Sequence, residues 1–186
     1  GRFGGHKAIP GKYKINLMIG DKNFSSDFEI KSKPNYKITK EEYSEFDKYA
    51  SHMENHFTEM ANYVNKNKDL LDRLSKVLKR IDDRDLIRKG RGLYKKMKDW
   101  DEKMMQRKSL AYDDVENFPN KFIADYLFIL DEMKGDIPIV TNGVLNAMKE
   151  LDKKWMSLRD EIVQILTQDL KDYNKELWAK GIGAVN

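Results

Sequence analysis

A seam of apolar residues that repeats in steps of three and four from Tyr43 to Ile81 constrains this chain more than any other feature. Tyr43, Phe46, Ala50, Met53, Phe57, Met60, Val64, Leu71, Leu74, Leu78 and Ile81 form it, and only Asn67 interrupts it. Side chains three and four residues apart share one face of a helix, whereas a strand would divide them between two faces. The seam therefore predicts one helix of about 40 residues, about 60 Å long. Its start is marked by Thr39-Lys40-Glu41-Glu42, a capping box with Thr39 at the N-cap and Glu42 at the third helical position. Asn67 reads in two ways: a buried polar residue that sets register, or a kink near Asn65-Lys66-Asn67.

Three further helices follow. The second is expected from Asp85 to about Arg107, with Leu93, Met97, Trp100 and Met104 inward. Gly90 and Gly92 weaken its first part, which leaves a start nearer Gly92 as the alternative. After a polar connector from Ser109 to Phe118, Pro119 sits where a first helical turn tolerates it. Phe122, Ile123, Tyr126, Leu127, Leu130 and Met133 make a short apolar third helix that Gly135 ends. The fourth runs from about Asn142 to Ala179, with Leu145, Met148, Leu151, Trp155, Leu158, Ile162, Ile165, Leu166, Tyr173 and Leu177 as its stripe. Two long and two shorter helices joined by modest loops predict a mainly α fold, an antiparallel four-helix bundle over residues 39–180.

Residues 1–35 follow another period. Tyr13, Ile15, Leu17 and Ile19 alternate with Lys12, Lys14 and Asn16; Phe24, Phe28 and Ile30 repeat the two-residue step after Gly20-Asp21-Lys22-Asn23. This is a β-hairpin entered through Pro10-Gly11. Two strands alone are marginal in water. They need the helices, a second copy of the chain, or further strands; the preferred reading is that they close a truncated sandwich.

The chemistry-bearing residue types are sparse. Without cysteine there is no disulfide, thiolate nucleophile or thiolate metal site. No apolar run approaches the ~20 residues that span a bilayer. His52 and His56 have metal-ligand spacing, but the string His52-Met53-Glu54-Asn55-His56 lacks the metalloprotease order, and the plain reading is partly solvated boundary histidines beside Met53 and Phe57. Asp113, Asp114 and Glu116 in the connector could hold a hard cation, yet their spacing is not an EF-hand and acids before a helix are ordinary. Arg80, Arg84, Arg88, Lys89, Arg91 and Lys95 form a basic corner, continued to Lys98, that could bind polyanions or anionic surfaces. Asp82, Asp83, Asp85, Asp99, Asp101 and Glu102 are interleaved with it, and a net charge of +4 does not itself call for nucleic acid. No nucleophile elbow, phosphate-cradling loop or placed acid pair is present, so no catalytic site and no cofactor are expected.

Pro10-Gly11-Lys12-Tyr13-Lys14-Ile15-Asn16-Leu17, with Phe28-Glu29-Ile30 and Pro34, resembles the last strands of an immunoglobulin-like domain of the PGxYxVxL kind. In large bacterial secreted proteins classed as glycosyl hydrolases, such strands follow a sortilin-type β-propeller and lead into a C-terminal helical region. Trp100-Asp101-Glu102, Gln106-Arg107-Lys108-Ser109, the string from Ala111 to Phe122, Trp155, and Asp169-Leu170-Lys171 through Asn174 and Leu177 are similar to that region. The resemblance implies that any hydrolase activity belongs to the propeller, that no catalytic residue transfers to this chain, and that the protein is extracytoplasmic, in the periplasm or at the cell surface. The expected role is a non-catalytic accessory module of a larger parent. Its expected partners are the parent's upstream domains, or a second copy through the hairpin edge.

Overall fold

The structure, a computed structural model, describes residues 4–108 and 118–185. It is mainly helical, with four helices behind a two-stranded hairpin, as the periodicities predict. The elements are β1 (Gly11–Ile19), β2 (Lys22–Ile30), α1 (Lys40–Leu78), α2 (Arg84–Met104), α3 (Phe122–Met133), and a fourth helix made of α4 (Asn142–Gln164), a π-helical turn (Ile165–Asp169) and α5 (Leu170–Ala179). The chain divides into two compact units, residues 1–55 with 129–147, and residues 56–128 with 148–186.

In the first unit the hairpin is a strictly antiparallel pair from Gly11↔Ile30 to Ile19↔Lys22. Its two-residue loop places Gly20 at φ 57°, a conformation that favours glycine and matches the strand twist. The register sets Tyr13 opposite Phe28 and Leu17 opposite Phe24, so the apolar residues of both strands share one face. Tyr13 stacks on Phe28 at 5.7 Å between ring centroids and donates from its hydroxyl to the Ile9 carbonyl at 2.6 Å. The capping box is formed as the sequence predicts. Glu42 N–H donates to Thr39 Oγ1 (3.2 Å), and Thr39 N–H donates to Glu42 Oε2 (2.7 Å).

In the second unit, ion pairs fix the helix directions. Lys89 meets Glu176, Lys96 meets Asp169 and Lys103 meets Glu161, so α2 runs antiparallel to α4–α5. Phe122 stacks against Trp155 and Tyr126 reaches Asp152, which puts the start of α3 antiparallel to α4, beyond the stretch that α2 covers. α2 and then α3 thus follow one another along the fourth helix. His56 meets Asp152 and Arg159 meets Glu59, so α1 and α4 run in the same direction here. The core is built from Trp100, Trp155, Met60, Met97, Met104, Leu74, Ile162 and Leu177, all fully enclosed.

Three details differ from the periodic expectation and one decides between its alternatives, each for a physical reason. Leu70 is buried where the seam named Leu71, because a straight helix drifts against a seven-residue repeat. α2 begins at Arg84, one residue before the expected Asp85, and the alternative start near Gly92 is not taken, because Asp83 caps the helix by accepting from the N–H groups of Asp85 and Leu86 at 3.0 and 3.1 Å. Gly90 lies inside that helix for packing: a Cβ there would fall 2.3 Å from Tyr173 Oη. α3 starts at Phe122, which leaves Pro119 ahead of the first turn. In the fourth helix the buried series runs Ile162, Ile165, Leu170, Tyr173, Leu177. Its one five-residue step coincides with the π turn, whose extra residue keeps Leu170 facing inward.

α1 is unbroken through Asn67, which is fully buried. The Asn67 Nδ2 group donates to the Met97 carbonyl at 3.0 Å, so this buried residue ties α1 to α2.

Candidate interaction surface

The apolar face of the hairpin is uncovered. Ile15 is 60% exposed, Leu17 56%, Ile19 62%, Phe24 54% and Phe28 45%. These five side chains leave on the order of 500 Å² of contiguous apolar surface, as large as the biggest patch on a typical monomer. The opposite face carries the Lys12–Glu29 and Lys14–Asp27 pairs, with Asn16, Ser25 and Asn23, and beside the turn the exposed Met18; the Lys14 ammonium lies 3.9 Å from Asp27. One face is therefore mainly polar and the other mainly apolar. Among the described residues the sheet has only these two strands, so the outer edges of both lack strand partners.

At the base of the hairpin, the first unit holds a charged cluster that sequence reading did not single out. The two ring nitrogens of His6 lie 3.0 Å from Asp47 Oδ1 and 3.0 Å from Glu54 Oε2. His6 packs edge-on against Phe46 with centroids 5.6 Å apart. The Lys134 ammonium approaches Glu54 at 3.4 Å and donates to the Gly4 carbonyl. Burial disfavours the charged ring, but the hydrogen bonds and charges of Asp47 and Glu54 outweigh it and raise the His6 pKa. For Glu54, burial is likewise overcome, and contact with His6 and then Lys134 lowers its pKa. Beside this cluster a cavity of about 160 Å³ opens between the hairpin base, the start of α1 and the end of α3.

The predicted histidine pair falls on α1. His56 Nδ1 lies 3.0 Å from Asp152 Oδ1, and the Tyr126 hydroxyl donates to that same oxygen at 3.2 Å. Burial first, and then the Asp152 charge, hold the Tyr126 hydroxyl well above its ordinary pKa. His52 precedes His56 by one turn of the same helix. Asp113, Asp114 and Glu116 lie outside the described residues.

The basic corner is partly neutralised in place. Arg88 pairs with Asp85 at 2.6 Å; Lys89 pairs with Glu176 at 2.6 Å and Asp85 at 3.1 Å; Lys95 pairs with Asp99 at 2.5 Å. The hydrogen bond from Lys89 to Glu176, and then that to Asp85, raise the lysine's pKa. Arg80, Arg84 and Arg91 make no ion pair among the described residues. The residues that sequence reading missed are His6, Asp47, Glu54 and Lys134 in the first unit and Tyr126 and Asp152, beside His56, in the second; within each unit they meet across separations of 26 to 96 positions. No local spacing announces such contacts.

Comparison of the chain with protein-family models, characterised proteins and solved structures finds no match. The functional reading therefore rests on geometry and on the strand pattern.

Proposed function

We propose that this chain is a non-catalytic accessory module whose hairpin completes a β-sandwich with strands of a larger secreted parent protein. The observation that carries this reading is the uncovered apolar face of Ile15, Leu17, Ile19, Phe24 and Phe28 on a hairpin with two open edges. A second sheet packed about 10 Å away would cover that face, and an added strand would satisfy an edge. At ~25 cal/mol per Å², burying the face is worth on the order of 10 kcal/mol before ordering costs, enough to fix the module to a parent domain. The PGxYxVxL-like strand supports an immunoglobulin-type sandwich. Its likeness to secreted sortilin-type propeller proteins classed as glycosyl hydrolases supports a module outside the cytoplasm whose parent's propeller carries any turnover.

Hydrogen exchange tests the proposal. Amides of residues 11–30 are expected to exchange at least about tenfold more slowly in the parent protein than in this chain alone. Equal exchange in both would remove the reading.

A second reading, a helical module that binds polyanions, draws on Arg80, Arg84 and Arg91. It predicts heparin retention that falls steeply with salt.

A further inference from the structure

The cavity at the hairpin base combines a volume with a charge pattern that the docking role does not use. Its floor is apolar and aromatic: Phe46 and Tyr43 are buried core residues, and Ile9, Ile30 and Tyr36 close the sides. Four lysines line it, Lys7, Lys31, Lys33 and Lys134, against a single carboxylate, that of Asp136. Lys7 meets Asp136 at 3.2 Å in an exposed pair, and such a pair is worth little and is easily exchanged. Lys33 stands 5.3 Å over the Tyr36 ring. Lys31 makes no ion pair among the described residues. Lys134 is largely buried and held by Glu54 and the Gly4 carbonyl, so its charge is fixed at the wall.

A cavity near 150 Å³ lined by apolar groups accepts one benzene-sized ring, and about 160 Å³ is available here. Lysines are compact point charges without the arginine fork, so a carboxylate held among them is attracted by charge and needs no bidentate geometry. We propose that this cavity binds a small aromatic carboxylate, with the ring on Phe46 and Tyr43 and the carboxylate among Lys7, Lys31 and Lys33. The proposal is independent of what covers the hairpin's apolar face, which lies further along the strands.

The probe is 3-phenylpropionate, titrated into the full chain and followed by backbone amide NMR. Saturable shifts are expected at Ile9, Ile30, Lys31 and Tyr36. The neutral amide of the same acid should bind at least about fivefold more weakly, and added salt should weaken the acid alone, because the screened charges are near the surface. The double variant Lys31→Gln with Lys33→Gln, at exposed positions that leave the core intact, should weaken the acid at least about fivefold and leave the amide unchanged. Equal affinity for acid and amide, shifts spread away from these residues, or an unchanged affinity in the double variant would each overturn the proposal.

Discussion

At the residue scale, His6 is the group whose protonation the fold exploits. An imidazole can donate from both nitrogens only as the cation, and both of its nitrogens face carboxylate oxygens. The groups facing it are Asp47 and Glu54 of α1, with Lys134 beyond Glu54 and Phe46 against the ring. Its folded pKa is raised above about 6.5, so its contribution is complete below that value and is lost as pH rises through the folded pKa. Glu54 runs oppositely: its folded pKa is lowered, so its contribution is present above about 4.5 and fades as pH falls through the folded value. The attachment of residues 4–9 is therefore expected to be firmest between about pH 5 and 6.5. An NMR titration should give a His6 pKa above 6.5 and amide protection of this segment that declines above it. In His6→Gln that decline should vanish; an unchanged decline would assign the pH dependence to another group.

Asn67 is the other single residue with a definite expectation. Its amide Nδ2 is bonded, but its Oδ1 is buried without a hydrogen-bond partner among the described residues. An unsatisfied buried acceptor costs about 1–3 kcal/mol, more than one amide bond returns net. Asn67→Leu should therefore be neutral or stabilising by about 1 kcal/mol in urea unfolding. The same variant should sharpen no contact between α1 and α2, because the polar tether to Met97 is gone. Destabilisation beyond about 2 kcal/mol would show that the tether matters more than the orphaned oxygen.

At the element scale, two glycines of α2 separate helix propensity from packing. Both replace a better helix former at a cost of roughly 1 kcal/mol relative to alanine. A Cβ on Gly92 meets nothing within 4 Å among the described residues, so Gly92→Ala should stabilise by about 0.5–1 kcal/mol. A Cβ on Gly90 would lie 2.3 Å from Tyr173 Oη and 2.6 Å from Leu78 Cδ2, and would displace the Tyr173 hydroxyl from the Leu86 carbonyl it donates to at 3.2 Å. Gly90→Ala should therefore destabilise by about 1–3 kcal/mol despite its propensity gain. Thermal denaturation of the pair gives opposite signs if packing decides. Equal shifts would mean that Tyr173 can move aside.

The same elements show what a sequence can and cannot disclose. The hairpin, the capping box at Thr39 and the helix faces are legible because each depends on residues two to four positions apart. Propensity alone left a start of α2 near Gly92 as an alternative to Asp85, because it ignores the Asp83 cap and the Tyr173 contact 83 positions beyond Gly90. The π turn left a trace, the five-residue step from Ile165 to Leu170, that a fixed three-and-four template passes over by taking Leu166. The His6 cluster and the lysine-lined cavity left none, since they join the segment before β1 to α1 and the end of α3.

At the scale of the whole molecule, the hairpin's apolar face decides how the chain behaves in company. Two copies that paired these faces would bury on the order of 1,000 Å² in total, at the weak end of specific interfaces and below the ~1,600 Å² of a standard one. Self-association should therefore be weak, visible by sedimentation only at about 100 µM or above. Ile15→Lys with Leu17→Lys should abolish it without loss of stability, because both side chains already face water and surface changes stay within about ±0.5 kcal/mol. The same double variant should fail to gain hairpin protection in the parent protein, since charges cannot enter a sandwich core unpaired. A dimer tighter than about 1 µM would instead make a second copy the occupant of this face. The area available on one hairpin argues against that outcome: it is too small to hold two free copies tightly, yet sufficient when a chain already tethers its partner strands at high effective concentration.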